Sequence, residues 1–197
     1  MLLKFFRKFQ KKNETTLTKT CKTGNIRLLQ GDITKEAKDF DAIVNAANET
    51  LLGGGGVDGA IHRAAGPKLF AECMALNGCD TGKSKVTDAY NIPCKKIIHT
   101  VGPIYDVNHK EDCQRLLASA YRSCMDNAKE CGMKSVLFPS VSTGVYGYPV
   151  EDAAKVALTE AMDFLSYNPE MELAWVLFSE DDFNTYNKVL HQLSDAN

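Results

Sequence analysis

The sequence predicts a single α/β domain in which helices cover both faces of a largely parallel sheet. The 197 residues are enough for one well-packed domain and few for two. Hydrophobic residues make up 44% of the chain and charged residues 24%, as is ordinary for a globular protein. Short apolar segments alternate with longer segments of helical spacing, and this alternation is typical of strand–helix–strand units.

Each element has its own signal in the sequence. Apolar runs predict strands, and apolar residues at helical spacing predict helices. Pro67 and Pro149 stand where helices begin, and Gly132 stands just after one ends. The predicted strands are 26–29, 42–44, 96–101, 135–138 and 173–178, and the predicted helices are 57–65, 67–76, 111–131, 150–165 and 182–193. No internal repeat interrupts this order, so we expect one domain over residues 25–197.

Residues 1–24 are predicted to form a basic extension and a linker. The first twelve residues, MLLKFFRKFQKK, interleave apolar and basic side chains, and we expect a short helix whose phenylalanines pack on the domain. A mitochondrial-type presequence, a membrane-surface helix and a partner-binding helix stay open as alternatives. The apolar run is too short and too interrupted for a transmembrane span. Residues 13–24 are polar and rich in threonine, as in a linker or a strand.

Charge and cysteine content limit the classes of function. The formal net charge of -2 does not favour a nucleic-acid-binding protein, so a phosphate-bearing ligand must be held by local groups. The seven cysteines are odd in number and form no C-x-x-C pair, which indicates free thiols in a reducing compartment. Free thiols favour a cytoplasmic protein. We also expect a monomer with no bound metal and no cofactor.

Two glycine patterns resemble nucleotide-binding motifs and are rejected. GGGVDG at 54–59 matches the dinucleotide fingerprint, but its strand ends near Val44, about ten residues too early. TGKS at 81–84 resembles the end of a P-loop, but only three residues separate its glycine from Gly78 where the motif needs four. We interpret the second pattern as a surface turn.

The four consecutive glycines Gly53–Gly56 are the strongest local signal. Glycines of this kind let a backbone approach a ligand closely and direct successive N–H groups at an anion. Asp58 follows, and as an N-cap it would start a helix near Gly59. A carboxylate beside a phosphate cradle repels the ligand, however, so a role in orienting or deprotonating water is favoured. His62 lies on the same helical face and either holds the Asp58 rotamer or is an ordinary core histidine.

A second loop, SVSTGVYGYP at 140–149, joins a predicted strand to a predicted helix. Its small residues and the helix that it precedes suit a second part of a phosphate cradle. Tyr146 is interpreted as a lid over a sugar, and packing on its own turn is the alternative. Asp32, after the first predicted strand, is placed to accept a hydrogen bond from an adenine amine, and a turn or cap beside Thr34 is its alternative.

Together these segments resemble the macrodomain family, and in particular its MacroD-type branch. The matching segments are GDITKEAKDFDAIVNAANETLLGGGGVDGAIHRAAGP at 31–67, TGKSKVTDAYNIPCKKIIHTVGPIY at 81–105 and LFPSVSTGVYGYP at 137–149. The resemblance implies a three-layer α/β/α sandwich with a mixed, largely parallel six-stranded sheet. It also implies hydrolysis of the ester that joins ADP-ribose to an acidic side chain, and deacetylation of O-acetyl-ADP-ribose.

The resemblance also implies roles for individual residues. Asp32 would bind the adenine amine with the Ile33 amide nearby, and Phe183 would pack on adenine. The diphosphate would be wrapped by Gly53, Gly54, Gly55, Gly56 and Val57 and by Ser142, Thr143, Gly144, Val145 and Tyr146. Asn48 would hold the distal ribose. The catalytic candidates are Asp58, Asn48, His62 and Tyr146.

Three functions follow from these implications. The first is a hydrolase acting on mono-ADP-ribosylated proteins and O-acetyl-ADP-ribose, with Asp58 as general base or water orienter. The second is a module that reads ADP-ribose without turning it over. The third is a phosphatase of ADP-ribose 1″-phosphate. Asp58 and Tyr146 favour the hydrolase, because a reader gains nothing from an acid near phosphate.

Overall fold

The structure, a computed structural model, describes residues 20–195. The helix expected over residues 1–12 lies outside this range. The strands are β1 (Thr20–Thr23), β2 (Ile26–Gln30), β3 (Ala42–Ala46), β4 (Ser84–Asp88), β5 (Lys96–Thr100), β6 (Ser135–Phe138) and β7 (Glu172–Leu177). The α-helices are α1 (Ile33–Glu36), α2 (Gly56–Ala65), α3 (Pro67–Ala75), α4 (Lys110–Glu130), α5 (Val150–Tyr167) and α6 (Glu180–Asp195).

The strands form one mixed sheet in the order β1-β2-β7-β6-β3-β5-β4. The five central strands are parallel, and β1 and β4 pair antiparallel with β2 and β5 at the two edges. The mixed, largely parallel sheet is confirmed. The expected number of six strands is wrong, because residues 20–23 add a seventh.

Helices cover both faces of the sheet, and this confirms the three-layer sandwich. One hydrophobic cluster packs α4, α5 and α6 on one face, and a second packs α1, α2 and α3 on the other. Neighbouring strand residues alternate between the clusters, as the two-residue period of a strand requires: Ile97 belongs to one and Ile98 to the other. On the face of α4, Phe138 stacks on Trp175 with ring centroids 4.9 Å apart.

Several described features bear on the expectations from composition. The cysteines at 73, 79, 94, 113, 124 and 131 are free. Within residues 20–195, no helix is both long and apolar enough to cross a membrane. The parallel arrangement brings the carboxyl ends of β2, β7, β6 and β3 to one edge of the sheet. The loops that follow these strands therefore meet there.

Candidate functional site

A cleft of about 700 Å³ opens where the loops after β2, β7, β6 and β3 meet. Neighbouring strands lie about 4.8 Å apart, so four of them carry the cleft about 14 Å along the sheet edge. This length suits an extended ligand better than a compact one. Its two ends differ, because the loop after β2 brings Asp32 to one end and the loop after β3 brings Asp58 to the other.

The glycine loop forms the wall after β3 by joining directly to the N-terminus of α2. Gly53 and Gly56 have φ of 86° and 56°, in the left-handed region that glycine adopts without strain. Gly55 is the N-cap of α2 and offers no side-chain cap. The first N–H groups of a helix have no intrahelical acceptor, so those of α2 are available to an anion in the cleft.

Asp58 lies inside the first turn of α2 and is not its cap. The helix begins at Gly56, so the interpretation of Asp58 as an N-cap near Gly59 is wrong. Asp58 is almost fully buried, with 4% of the residue surface exposed. Oδ1 accepts a hydrogen bond of 2.7 Å from Asn45 Nδ2, whereas Oδ2 has no partner among the described residues. Burial raises the pKa of Asp58 despite this hydrogen bond and the nearby His62, both of which lower it.

Asn45 lies at the end of β3 and connects Asp58 to the interior of the domain. Besides its bond to Asp58, its Nδ2 lies 3.0 Å from Nδ1 of His99 on β5. Nε2 of His99 lies 2.9 Å from Thr87 Oγ1 on the edge strand β4. Burial lowers the pKa of His99 to about 3, so this histidine is neutral at physiological pH.

His62 lies beneath Asp58 as its position one turn later on α2 predicts. Its Nε2 is 3.5 Å from Asp58 Oδ1, a close electrostatic contact but a long hydrogen bond. Among the described residues, His62, Cys73 and His99 bring possible metal-binding atoms within 4.8 Å of one another. Both ring nitrogens of His99 already take part in hydrogen bonds, which leaves that ring no free lone pair.

The second loop folds over the cleft on three backbone hydrogen bonds. Tyr148 N donates to Ser142 O, Gly147 N donates to Gly144 O, and Tyr105 N donates to Tyr146 O, at 2.9 to 3.0 Å. Two of these donors lie on the loop and the third, Tyr105 N, comes from the segment after β5. Thr143 Oγ1 adds a side-chain bond to Ser140 O at 3.1 Å. The half-buried Tyr146 ring lines the cleft, and burial raises the pKa of its hydroxyl.

The family model described as "Macro domain" matches residues 44–157, which include both loops. The chain belongs to the macrodomain family. A solved macrodomain of Oceanobacillus iheyensis, with ADP, superposes with a TM-score of 0.85 at 40% identity and covers 91% of this chain and 98% of its own.

Two curated relatives carry more specific names. The human ADP-ribose glycohydrolase MACROD2 is 48% identical over 185 residues, which are 91% of this chain and 42% of that protein. The O-acetyl-ADP-ribose deacetylase of Cronobacter turicensis is 44% identical over 178 residues, which are 88% of this chain and 99% of that protein. This macrodomain thus spans less than half of the human protein and almost the whole length of the bacterial one.

The macrodomain cleft brings together most of the residues predicted from sequence. Those that line it are Asp32, Ile33, Asn48, Gly54, Gly55, Gly56, Val57, Asp58, Ser142, Thr143, Gly144, Val145 and Tyr146. Gly53, His62 and Phe183 do not line it: Gly53 lies against the ring of His62, and Phe183 is buried in the core, 6% exposed. Phe178, the residue after β7 and 85% exposed, lines the cleft instead.

Two predicted ligand-binding residues also shape the macrodomain backbone. Asp32 caps α1, and its Oδ1 accepts from Thr34 N at 3.0 Å and Thr34 Oγ1 at 2.7 Å, which confirms the cap interpretation. Asn48 Nδ2 donates to Gly53 O at 3.0 Å, and its Oδ1 accepts from Thr50. Asn48 therefore closes the turn that leads into the glycine loop while it lines the cleft.

Sequence reasoning missed Asn45, His99, Thr87 and Phe178. The signal for the first three is a polar residue at a fully buried strand position, which needs a hydrogen-bond partner. Asn45 and Asp58 are 13 residues apart, and Asn45 and His99 are 54 apart. Only the pairing of β3 with β5, which places Asn45 beside His99, reveals these partners.

Proposed function

We propose that this macrodomain binds ADP-ribose along the cleft and hydrolyses an ester of its distal ribose. The substrates would be ADP-ribosylated acidic side chains of proteins and O-acetyl-ADP-ribose. The observation that carries the proposal is the buried Asp58 carboxylate, one oxygen of which has no partner among the described residues, beside two glycine-containing loops whose backbone amides line the cleft. The names of the two curated relatives support the same class of substrate.

The shape of the cleft supports an extended ligand with a diphosphate at its centre. Gly54–Val57 on one side and Ser142–Tyr146 on the other offer amides and little side-chain bulk. The N-terminus of α2 adds the positive end of a helix dipole. Asp32 at the opposite end would accept a hydrogen bond from the adenine amine through the oxygen that Thr34 leaves free.

Asp58 would act on a water molecule next to the ester. Its Oδ2 is buried without a partner, and such an oxygen is satisfied by a water that enters with the substrate. A carboxylate with a raised pKa is a stronger base than an exposed one. In the proposed step the water oxygen bonds to the ester carbonyl carbon and gives its proton to Asp58. The ester bond then breaks, and the proton passes to the leaving ribose oxygen.

The direct test is incubation with a protein mono-ADP-ribosylated on glutamate, followed by mass spectrometry of both products. We expect free ADP-ribose and an unmodified glutamate, with turnover about 10²- to 10⁴-fold lower for Asp58→Asn and Asp58→Ala. Binding of ADP-ribose without release would identify a reader, and release of phosphate from ADP-ribose 1″-phosphate with no acetate release from O-acetyl-ADP-ribose would identify a phosphatase. Either result contradicts the proposal.

The proposed orientation of the ligand has its own test at Phe178. Phe178 lines the cleft directly after β7, the strand next to β2, and its exposed ring would stack on adenine. Base–aromatic stacking contributes about 1–3 kcal/mol, so Phe178→Ala is expected to weaken ADP-ribose binding about 5- to 150-fold by calorimetry. Phe178→Tyr keeps the ring and is the matched control. An unchanged affinity in Phe178→Ala would place adenine elsewhere.

A further inference from the structure

A continuous chain of hydrogen bonds runs from Asp58 to the edge of the sheet. It passes through three residues beneath the cleft, which we call its floor: Asn45, His99 and Thr87. It passes from Asp58 to Asn45 at 2.7 Å, from Asn45 to His99 at 3.0 Å and from His99 to Thr87 at 2.9 Å. Asn45, His99 and Thr87 are buried, with at most 1% of their surface exposed. None of these three side chains lines the cleft, so they reach a ligand only through Asp58.

The hydrogens of this chain can be assigned from donor and acceptor chemistry. The Asn45 NH₂ group has two hydrogens, and they serve Asp58 Oδ1 and His99 Nδ1. His99 Nδ1 is then an acceptor, so the neutral ring carries its hydrogen on Nε2 and donates to Thr87 Oγ1. The Thr87 hydroxyl gives its own hydrogen to the carbonyl of Asp88 at 3.1 Å. Every hydrogen in the chain has an acceptor.

The opposite orientation of the Asn45 side-chain amide is excluded by its contact with Asp58. Turning the Asn45 side chain over would place its oxygen against an ionised Asp58 oxygen, which opposes two acceptors. In the assigned orientation the Asn45 oxygen has no partner among the described residues, so only the NH₂ side holds the amide. The orientation therefore depends on an acceptor at each end, one of which is Nδ1 of His99.

We propose that His99 and Thr87 are positioning residues for Asp58. Thr87 fixes His99 as the neutral Nε2–H tautomer, His99 holds the Asn45 amide with its NH₂ toward the cleft, and Asn45 holds Asp58 ionised and aimed. This inference rests on the proposed function for its kinetic consequences, whereas the tautomer that it assigns does not depend on any activity.

The surroundings of Asp58 explain why the amide has this influence. The titratable groups that face Asp58 are His62 on α2, Cys73 on α3 and Tyr146 in the second loop, and His99 on β5 lies behind Asn45. Burial raises the pKa of Cys73 to about 11 and lowers that of His99 to about 3, so both are neutral. Together with His62, the Asn45 amide is what favours the ionised carboxylate against burial.

Thr87 offers the matched pair of variants that tests this chain. Thr87→Val keeps the shape but removes the hydroxyl acceptor and leaves His99 Nε2 with only the weaker acceptor Cys73 Sγ at 3.7 Å. The hydrogen of His99 can then move to Nδ1, and the Asn45 amide turns over. We expect kcat to fall about tenfold, the acidic limb of the pH–rate profile to move to higher pH, and the ADP-ribose Kd to stay unchanged. Thr87→Ser keeps the hydroxyl and is expected to restore both kcat and the profile.

Nuclear magnetic resonance supplies a readout that needs no turnover. With ¹⁵N-labelled histidine, assigned by loss of the His99 signals in His99→Gln, we expect the Nε2–H tautomer at neutral pH. With ¹³C-labelled aspartate, we expect the Asp58 pKa to be higher in Thr87→Val than in the wild type. A charged or Nδ1–H ring in the wild type, or an unchanged Asp58 pKa in Thr87→Val, overturns the inference. Absence of turnover in the wild type refutes the proposed function alone, because these spectra still decide the tautomer.

Discussion

The ionised Asp58 side chain lowers the stability of the folded domain, and its position in the cleft explains why. Its oxygen Oδ2 is buried without a partner among the described residues, and burial raises its pKa. An ionised group in this position is less stable than it would be in the unfolded chain. Such a cost is common where a side chain is kept for chemistry rather than for stability. Replacing the charge by a neutral group of the same shape should therefore stabilise the fold and lower the activity.

Asp58→Asn tests this relation directly. We expect a higher Tm at pH 7, by about 2–4 °C for each kcal/mol recovered in a domain of this size. Because the folded pKa lies above the unfolded value of 3.8, the cost is absent below that value and grows as pH rises through the folded pKa. The gain should thus disappear in acid. Asp126→Asn, at an exposed position of α4, is the control and should show no gain. A lower Tm for Asp58→Asn at pH 7 would contradict this account.

At the scale of elements, α2 packs directly on the glycine loop that precedes it. A Cβ at Gly59 would meet the carbonyl oxygen of Gly54, whereas a Cβ at Gly55 would meet no protein atom within 4 Å. Gly59→Ala should displace the loop and lower both stability, by about 1–3 kcal/mol, and ADP-ribose affinity. Gly55→Ala should leave the Tm unchanged and weaken binding only, because its methyl group enters the cleft. Thermal unfolding and calorimetry on both variants separate these effects, and equal Tm values would refute the packing argument.

Elements differ in how far the sequence specifies them. The central strands and the helices α3 to α6 bury apolar faces, so their periodicity predicts them to within a few residues. The edge strands β1 and β4 are short and polar, and backbone pairing to β2 and β5 holds them. Periodicity therefore could not detect them, and TGKS at 81–84, interpreted as a turn, leads into β4. The range predicted for α2, 57–65, differs from the observed Gly56–Ala65 by one residue, whereas the start near Gly59 that an Asp58 cap implies is wrong.

At the scale of the whole molecule, the alternation of strands and helices was sufficient to predict the architecture. Parallel strands require crossovers, and crossovers place helices on both faces of a sheet and loops at its carboxyl edge. The glycine loop, Asp32 and the second loop could be assigned to one site for that reason. The partners of Asp58 could not, since Asn45, His99 and Thr87 meet only through strand pairing. The sequence thus predicts the two loops that form the wall of the cleft. The hydrogen-bonded residues beneath it are identified only from the structure.

The floor of the cleft also makes the stability of the whole domain depend on pH. His99 is buried as a neutral ring with a pKa of about 3, whereas in the unfolded chain its pKa is 6.5. As pH falls below 6.5, His99 binds a proton in the unfolded chain but stays neutral in the folded domain. The free energy of unfolding therefore decreases progressively down to about pH 3. At pH 5 the loss from His99 alone is about 2 kcal/mol.

Urea unfolding at pH 7 and pH 5 measures this loss. The free energy of unfolding of His99→Gln should change between the two pH values by about 2 kcal/mol less than that of the wild type, because glutamine does not titrate. Asp58 acts in the opposite direction, and its pKa depends on His99 through Asn45, so the comparison is repeated with Asp58→Asn in both proteins to remove its contribution. His191→Gln, at an exposed position of α6, should keep the wild-type dependence. The same pH dependence in His99→Gln and in the wild type would mean that His99 is protonated in the folded domain. That result would refute the assignment of His99 as a neutral ring.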